Sequence, residues 1–375
     1  MSRPSLTRFA AIARKEILQL RRDRRSLIMA FGLPIVLVVI FGFAISYDVN
    51  DIPLSVEDRD RTETSRALLD AFRASGYFEV VRVTERTRDG TALLDRGLAR
   101  IHLVIPQGFT ADLRGRAAPV LQALVDGSDA NTATIALNYA DGIVQGFRGR
   151  MLTGGRLPEP PVSAEVRVWY NESLASRNMI VPGLIAVIMA IVAAMLTSLT
   201  IAREWERGTM EQLASTPVSR LEVVAGKLAP YLAIGLLDVL IAAALGIVVF
   251  HVPFRGSLLF LLIASLLFLL ACCGLGLFIS AALRSQLLAM QVSLLATYLP
   301  SFLLSGFAFD IVNMPWPLRA LSAAVPARYF VPIAKGVFLK GVGLAVLWPE
   351  LLALAGFAAA GVALAARAFH KDLAS

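Results

Sequence analysis

The densest grouping of chemically capable side chains lies in Ala202-Arg203-Glu204-Trp205-Glu206-Arg207-Gly208-Thr209-Met210-Glu211-Gln212-Leu213-Ala214-Ser215-Thr216-Pro217. Gly208 is placed to stop the helix before it, and Thr209 with Gln212 has the spacing of a capping box for a short new one. Met210, Leu213 and Ala214 would give that helix a small apolar face. Pro217 ends it, and Ser219 with Glu222 forms a second capping box that launches the next apolar run. The work such an element performs is mechanical: a short amphipathic helix fixed at both ends can transmit force to a partner. A well-capped loop with no partner explains the same residues equally well.

Other candidates carry less. His102 sits in a strand-like run with no Cys, Asp or Glu at metal spacing, so it reads as a core histidine. Asp126 and Asp129 begin a calcium-loop pattern that lacks its closing Glu; a turn followed by a helix cap explains both. Cys272 and Cys273 are adjacent inside an apolar run, and read as small apolar helix residues. Gly226-Lys227 is followed by Leu228, and no Gly-x-x-x-x-Gly-Lys-[Ser/Thr] phosphate loop occurs anywhere in the chain. No catalytic residue, metal site or cofactor of this chain's own is therefore expected. Asp238 lies mid-run in Leu236-Leu237-Asp238-Val239-Leu240. Such a residue is either a polar group on a transport path or latch, or a protonated acid hydrogen-bonded to a neighbouring helix.

The elements that position these residues are membrane elements. Of 375 residues, 57% are hydrophobic and 17% charged, against about 25% charged in a soluble domain. Long apolar runs alternate with charged stretches. The net charge of +8 concentrates beside apolar runs, where it faces anionic lipid headgroups rather than nucleic acid. Stretches able to span a bilayer run over Leu27–Ser46, Met179–Ala202, Leu228–Phe250, Leu258–Leu283, Leu287–Phe309 and Ala345–Ala366. The first is too long for a signal-peptide core and no small-x-small site follows it, so it reads as a retained anchor. Arg8, Arg14, Lys15, Arg21, Arg22, Arg24 and Arg25 precede it. Arg203, Arg207, Arg220, Lys227, Arg284, Arg367 and Lys371 fall on the same side if the spans alternate, which makes that side cytoplasmic and puts both termini there.

The expected fold is a mainly α membrane protein with six transmembrane helices. Residues 1–26 form a cytoplasmic amphipathic interfacial helix with Phe9, Ile12, Ala13, Ile17 and Leu20 on its apolar face. Residues 27–46 are the first span. Residues 47–177 form a mixed α/β extracytoplasmic domain, with strands near 52–57, 78–83, 101–105, 119–125 and 165–170 and helices at 62–75, 89–98, 107–115 and 129–148. Asp129 is its candidate N-cap, and Pro158-Glu159-Pro160-Pro161 a stiff connector. Residues 178–375 hold the remaining spans, the loop 203–220 and a Pro-rich outer segment 310–344 of short broken, re-entrant-like helices. Gly274 and Gly276 read as sites of close helix packing.

Glu204-x-Glu206-x-Gly208-Thr209-x-Glu211-x-Leu213 followed by Thr216-Pro217 resembles the signature loop of ABC-2-type exporter permeases. The resemblance extends to the basic amphipathic N-terminus, Leu124 to Thr132, Tyr170-Asn171 before Val181-Pro182-Gly183, Gly226 to Tyr231, Ala327 to Phe330 and Gly336 to Gly341. Glu172 stands where relatives often have Pro, and Val325-Pro326 where Asn-Pro is more frequent. The resemblance implies a multi-pass permease of the bacterial inner membrane. It would act as a homodimer or a heterodimer with a related permease, and export an amphipathic or hydrophobic substrate, drug-like or lipid-like, with ATP hydrolysed on a separate ABC ATPase. Glu204, Glu206 and Glu211 would meet donors on that ATPase, and Arg207 would hold the loop through an ion pair. Room is left for a periplasmic adaptor. A receptor or scaffold built on the outer domain would leave the capped helix unexplained. An ion-coupled carrier would call for several intramembrane ionisable residues and internal repeats.

Overall fold

A computed structural model describes residues 5–44, 51–115, 120–152, 169–172 and 175–369. Contacts divide the chain into two compact units, Met1–Ser46 with Val168–Ser375, and Tyr47–Arg167. The connector at 158–161 lies outside the described residues, as does the expected strand at 165–170 apart from Trp169 and Tyr170.

The helical unit opens with α1, Leu6–Arg22. Its buried stripe is Ile12, Glu16 and Leu20, while Ile17 and Leu18 are exposed. The stripe is a packing face: Ile12 lies so close to Gly226 that a Cβ there would approach it to 2.8 Å. The amphipathic helix thus rests on protein as well as on any bilayer surface, and its inward face carries a carboxylate. Next come α2, Arg24–Leu27, a π-helical stretch, Ile28–Gly32, and α3, Leu33–Ala44. The apolar part, Ile28–Ala44, is shorter than the expected first span of 27–46.

The second unit is a four-stranded sheet of order β2-β1-β3-β4. In chain order it runs β1 (Ile52–Asp58), α4 (Glu63–Ala74), β2 (Phe78–Thr84), α5 (Thr87–Asp95), β3 (Ile101–Ile105), α6 (Phe109–Arg114), β4 (Gln122–Val125) and α7 (Ala130–Leu152). β1 pairs parallel with β2 and β3, and β3 pairs antiparallel with β4. β3 is buried along its whole length, as a central strand covered on both faces must be. His102 is a core residue: its Nδ1 lies 2.9 Å from Ser55 Oγ, and only a glycine at position 90 leaves room for the ring. Asp126 pairs with Arg100 at 2.5 Å, and Asp129 accepts from the Thr132 N–H at 3.3 Å, a turn and a cap.

The chain then returns to the helical unit with α8 (Ser176–Glu206), α9 (Met210–Ala214), α10 (Arg220–Val248), α11 (Leu258–Leu283), α12 (Gln286–Leu303), α13 (Trp316–Ser322), α14 (Ala327–Lys335) and α15 (Leu344–Ala368). Among the described residues, α8, α10, α11, α12 and α15 are long and apolar enough to cross a membrane. At 1.5 Å per residue, the 26 residues of α11 reach about 39 Å. The expected fifth span continues to Phe309, but α12 stops at Leu303, just past Pro300, and the chain turns at the left-handed Gly306 (φ 81°).

α8 is the central post of this unit, buried on nearly every face. Its hydroxyls satisfy themselves on its own backbone: Thr197 donates to Ala193 O at 2.8 Å and Ser198 to Met195 O at 2.7 Å. Glycines set the spacing around it. A Cβ on Gly276 would lie 2.4 Å from Ala194 O, and one on Gly274 would lie 2.5 Å from the Gly361 backbone of α15. Segment 310–344 holds a short 3₁₀ turn (Ile311–Asn313), α13, α14 and a π-helical stretch (Gly336–Lys340). Phe330 of α14 stacks on Phe268 of α11, with ring centroids 4.5 Å apart.

Candidate functional site

The loop between α8 and α10 is anchored residue by residue. α8 ends in a Schellman motif, with Gly208 left-handed (φ 66°), its N–H on Trp205 O and the Thr209 N–H on Glu204 O. The Thr209 hydroxyl donates back to Glu204 O at 3.4 Å, and the expected Thr209–Gln212 capping box is not present among the described residues. α9 is seated by Met210, which is 2% exposed. The side chains of Leu213 and Ala214 fall outside the described residues. The second capping box does form: Ser219 Oγ accepts from the Glu222 N–H, and Glu222 accepts from the Ser219 N–H at 2.5 Å. Glu222 also accepts from the Ser5 N–H at 2.6 Å, so one carboxylate holds the starts of both α1 and α10. Arg8 donates to Pro217 O at 2.5 Å, tying α1 to the end of the loop.

Beneath this loop lies a buried charge cluster. Lys227 Nζ is 2.8 Å from Glu16 and 2.9 Å from Glu204, and Lys15 Nζ is 2.5 Å from the same Glu204 oxygen. Lys227, Glu16 and Glu204 are 1%, 3% and 3% exposed. Three helices (α1, α8 and α10) therefore meet through ions shielded from water. Such groups tolerate burial only when paired.

The carboxylates expected to face a partner divide between two roles. Glu204 is turned inward to Lys227 and Lys15. Glu206 accepts from the Gln286 N–H at 2.7 Å and from its side-chain amide, which caps α12. Glu211 stands exposed on α9, its carboxylate without a partner among the described residues. Arg207 is exposed too, and the ion pair expected of it is absent among the described residues. Arg284 covers the Trp205 ring at 4.4 Å instead. Asp238 is 1% exposed, and neither carboxyl oxygen has a hydrogen-bond partner among the described residues. The bond to a neighbouring helix that one reading required is therefore missing.

On the α1 side, Arg203 pairs with Asp23 at 3.1 Å and reaches Gln286 at 3.4 Å. Burial works to raise the Asp23 carboxyl, but the Ser26 donors and Arg203 together hold it below the usual carboxylate range. Sequence reading missed Glu16, Lys15, Asp23 and Gln286 as members of this junction, and saw Lys227 only as a loop charge. A signal existed: Glu16 interrupts the Ile12–Leu20 stripe at helical spacing.

The model of the ABC-2 family transporter protein matches residues 24–367. The chain belongs to the ABC-2 transporter family. It is 38% identical over 345 residues to the "Probable multidrug ABC transporter permease YbhS" of Escherichia coli (strain K12), covering 91% of each chain. It is 31% identical to the "Probable multidrug ABC transporter permease YbhR" of the same strain, over 92% of this chain and 93% of that one. It is 26% identical to the "Inner membrane transport permease YhhJ", over 90% and 92%. With these relatives and its apolar helices, this ABC-2 family member is a multi-pass membrane protein.

Proposed function

We propose that the chain is the permease subunit of an ATP-driven exporter, with six spans, the first being the span expected at 27–46, of which Ile28–Ala44 is the apolar helix. It works as a dimer and takes an amphipathic or hydrophobic substrate outward across the cytoplasmic membrane. Both termini and the α8–α10 loop lie on the cytoplasmic side, and the α/β unit lies outside, where an adaptor has room to bind. ATP is hydrolysed on a separate ABC ATPase, the partner that membership of an ABC transporter family implies.

The observation that carries this reading is the division of labour in the loop. Glu204, Glu206 and Glu222 are used up in fixing the loop to α10, α12 and α1, while Glu211 and Arg207 are left exposed and, among the described residues, unpaired. A displacement of α9 is then passed through the Lys227 cluster to three helices at once, because bonds this short between buried ions do not slide. A merely decorative loop has no use for that anchoring. Inverted proteoliposomes holding this chain and its ATPase test the reading. They should accumulate a fluorescent amphiphile when ATP is added, and lose that accumulation with Glu211→Ala. Accumulation equal with and without ATP would sink the proposal.

A further inference from the structure

Beside the junction lies a cavity of about 1020 Å³, bounded by α1, α2 and the start of the π-helical stretch, α8 and α12. It is larger than needed for a drug-sized ligand, whose pockets run to roughly 300–1,000 Å³. Its walls have two characters. Met29, Met195, Leu196, Leu199 and Met290 supply an apolar, adaptable floor. Arg14, Arg22 and Arg207 line the other side, with Lys15 and Arg203.

The charge does not cancel. Lys15 is neutralised by Glu204 and Arg203 by Asp23. Among the described residues, Asp23 is the sole carboxylate lining the cavity. Arg14, Arg22 and Arg207 have no acidic partner among the described residues, yet converge on one space from α1 and from the end of α8. Guanidinium groups gathered over an apolar floor fit a head group bearing phosphate, sulfate or carboxylate on a hydrocarbon body. A cationic drug would meet repulsion there.

We propose that this cavity binds an anionic amphiphile, head group to Arg14, Arg22 and Arg207, apolar body over Met29, Met195 and Met290. As a cargo site it rests on the exporter reading above; as a binding site it does not. The place also suits entry from the inner leaflet, since Leu18 of α1 lines the cavity while its neighbour Ile17 is exposed outside it.

The test uses the full chain in phosphatidylcholine nanodiscs without any ATPase. Spin-labelled phosphatidylglycerol probes the bilayer source, dodecyl phosphate added from water probes the free source, and spin-labelled phosphatidylcholine is the reference. The wild-type protein should prefer phosphatidylglycerol over the reference, on the order of tenfold. Dodecyl phosphate should displace it, whereas dodecyltrimethylammonium should not. The Arg14→Gln, Arg22→Gln, Arg207→Gln triple variant should lose the preference, and the matching triple Lys variant should keep most of it. Met290→Trp fills the floor but leaves every charge, and should lose it as well. Binding of dodecyl phosphate alone, abolished in the same variants, supports the site with an aqueous ligand. The proposal is overturned if neither anion is preferred, if the cationic surfactant competes equally, or if the preference survives Met290→Trp, which would reduce it to surface charge. A binding result of either kind leaves the ATP-dependence test to decide the exporter reading separately.

Discussion

Lys227→Met is the substitution whose consequence the junction specifies most closely. Lys227 Nζ sits 2.8 Å from Glu16 and 2.9 Å from Glu204, and the side chain is 1% exposed. Glu204 would keep Lys15 at 2.5 Å, but Glu16 would be left buried at 3% exposure with no cation among the described residues. Removing one partner of a buried pair costs about 3–5 kcal/mol. At roughly 2 °C per kcal/mol for a large chain, the melting midpoint should fall by some 6–10 °C. Cys272 and Cys273 are free and buried, 4% and 0% exposed, so a thiol-reactive fluorophore reports unfolding without engineered cysteines. The double variant Glu16→Leu, Lys227→Met removes both charges and completes the Ile12–Leu20 stripe, and should recover most of the loss. If Lys227→Met melts with the wild type, or the double variant melts below the single, the cluster is not the fastening described.

Glu222→Ala withdraws one carboxylate from two helix starts and should cost about 1–2 kcal/mol, with faster proteolysis near Ser5 as its local sign. Gly276→Val drives a side chain into the Ala194 carbonyl and Thr197. Overpacking of this kind costs about 1–3 kcal/mol, read as a lower midpoint in the same thiol assay. In the α/β unit, burial acts to raise the Asp60 carboxyl, but donors from Thr110, Thr62 and Gly108 outweigh it and hold the group below its ordinary value of 3.8. A depressed carboxyl stabilises the fold above that value and loses its contribution as pH falls through the folded-state value. Wild-type full chain should therefore lose hydrogen-exchange protection at Gly108 and Thr110 in acid. Asp60→Asn should show low protection already at neutral pH and a flatter acid response; a parallel response in both would disprove the linkage.

Much of the fold was legible because its signals are local. Leu258–Leu283 is a helix end to end as its apolar run predicts, and the expected strand at 101–105 is β3. The Ser219–Glu222 cap formed because both its bonds lie within one turn of chain. What escaped reading depends on distance along the sequence. The Glu16–Lys227 pair spans 211 residues; the break in the Ile12–Leu20 stripe marks Glu16, but nothing in the sequence near it marks its partner. Thr209 had the right spacing for a cap, yet the left-handed Gly208 turned its hydroxyl back to Glu204. The three loop carboxylates look alike in sequence. Only the packing of α10 and α12 separates the inward Glu204 and the capping Glu206 from the exposed Glu211.

The claim that α9 is where an ATPase pushes is tested most directly by ATPase activity in nanodiscs. Activity of the ABC ATPase would be compared alone, with the wild-type chain, and with Arg207→Ala or Glu211→Ala. Thiol-labelling melts would check that each variant is folded. The account predicts that the wild-type chain changes the ATPase rate and that both variants, melting normally, lose that effect, because the Arg207 and Glu211 side chains are exposed and make no ion pair among the described residues. Variants that are folded and still modulate the ATPase as the wild type does would contradict it.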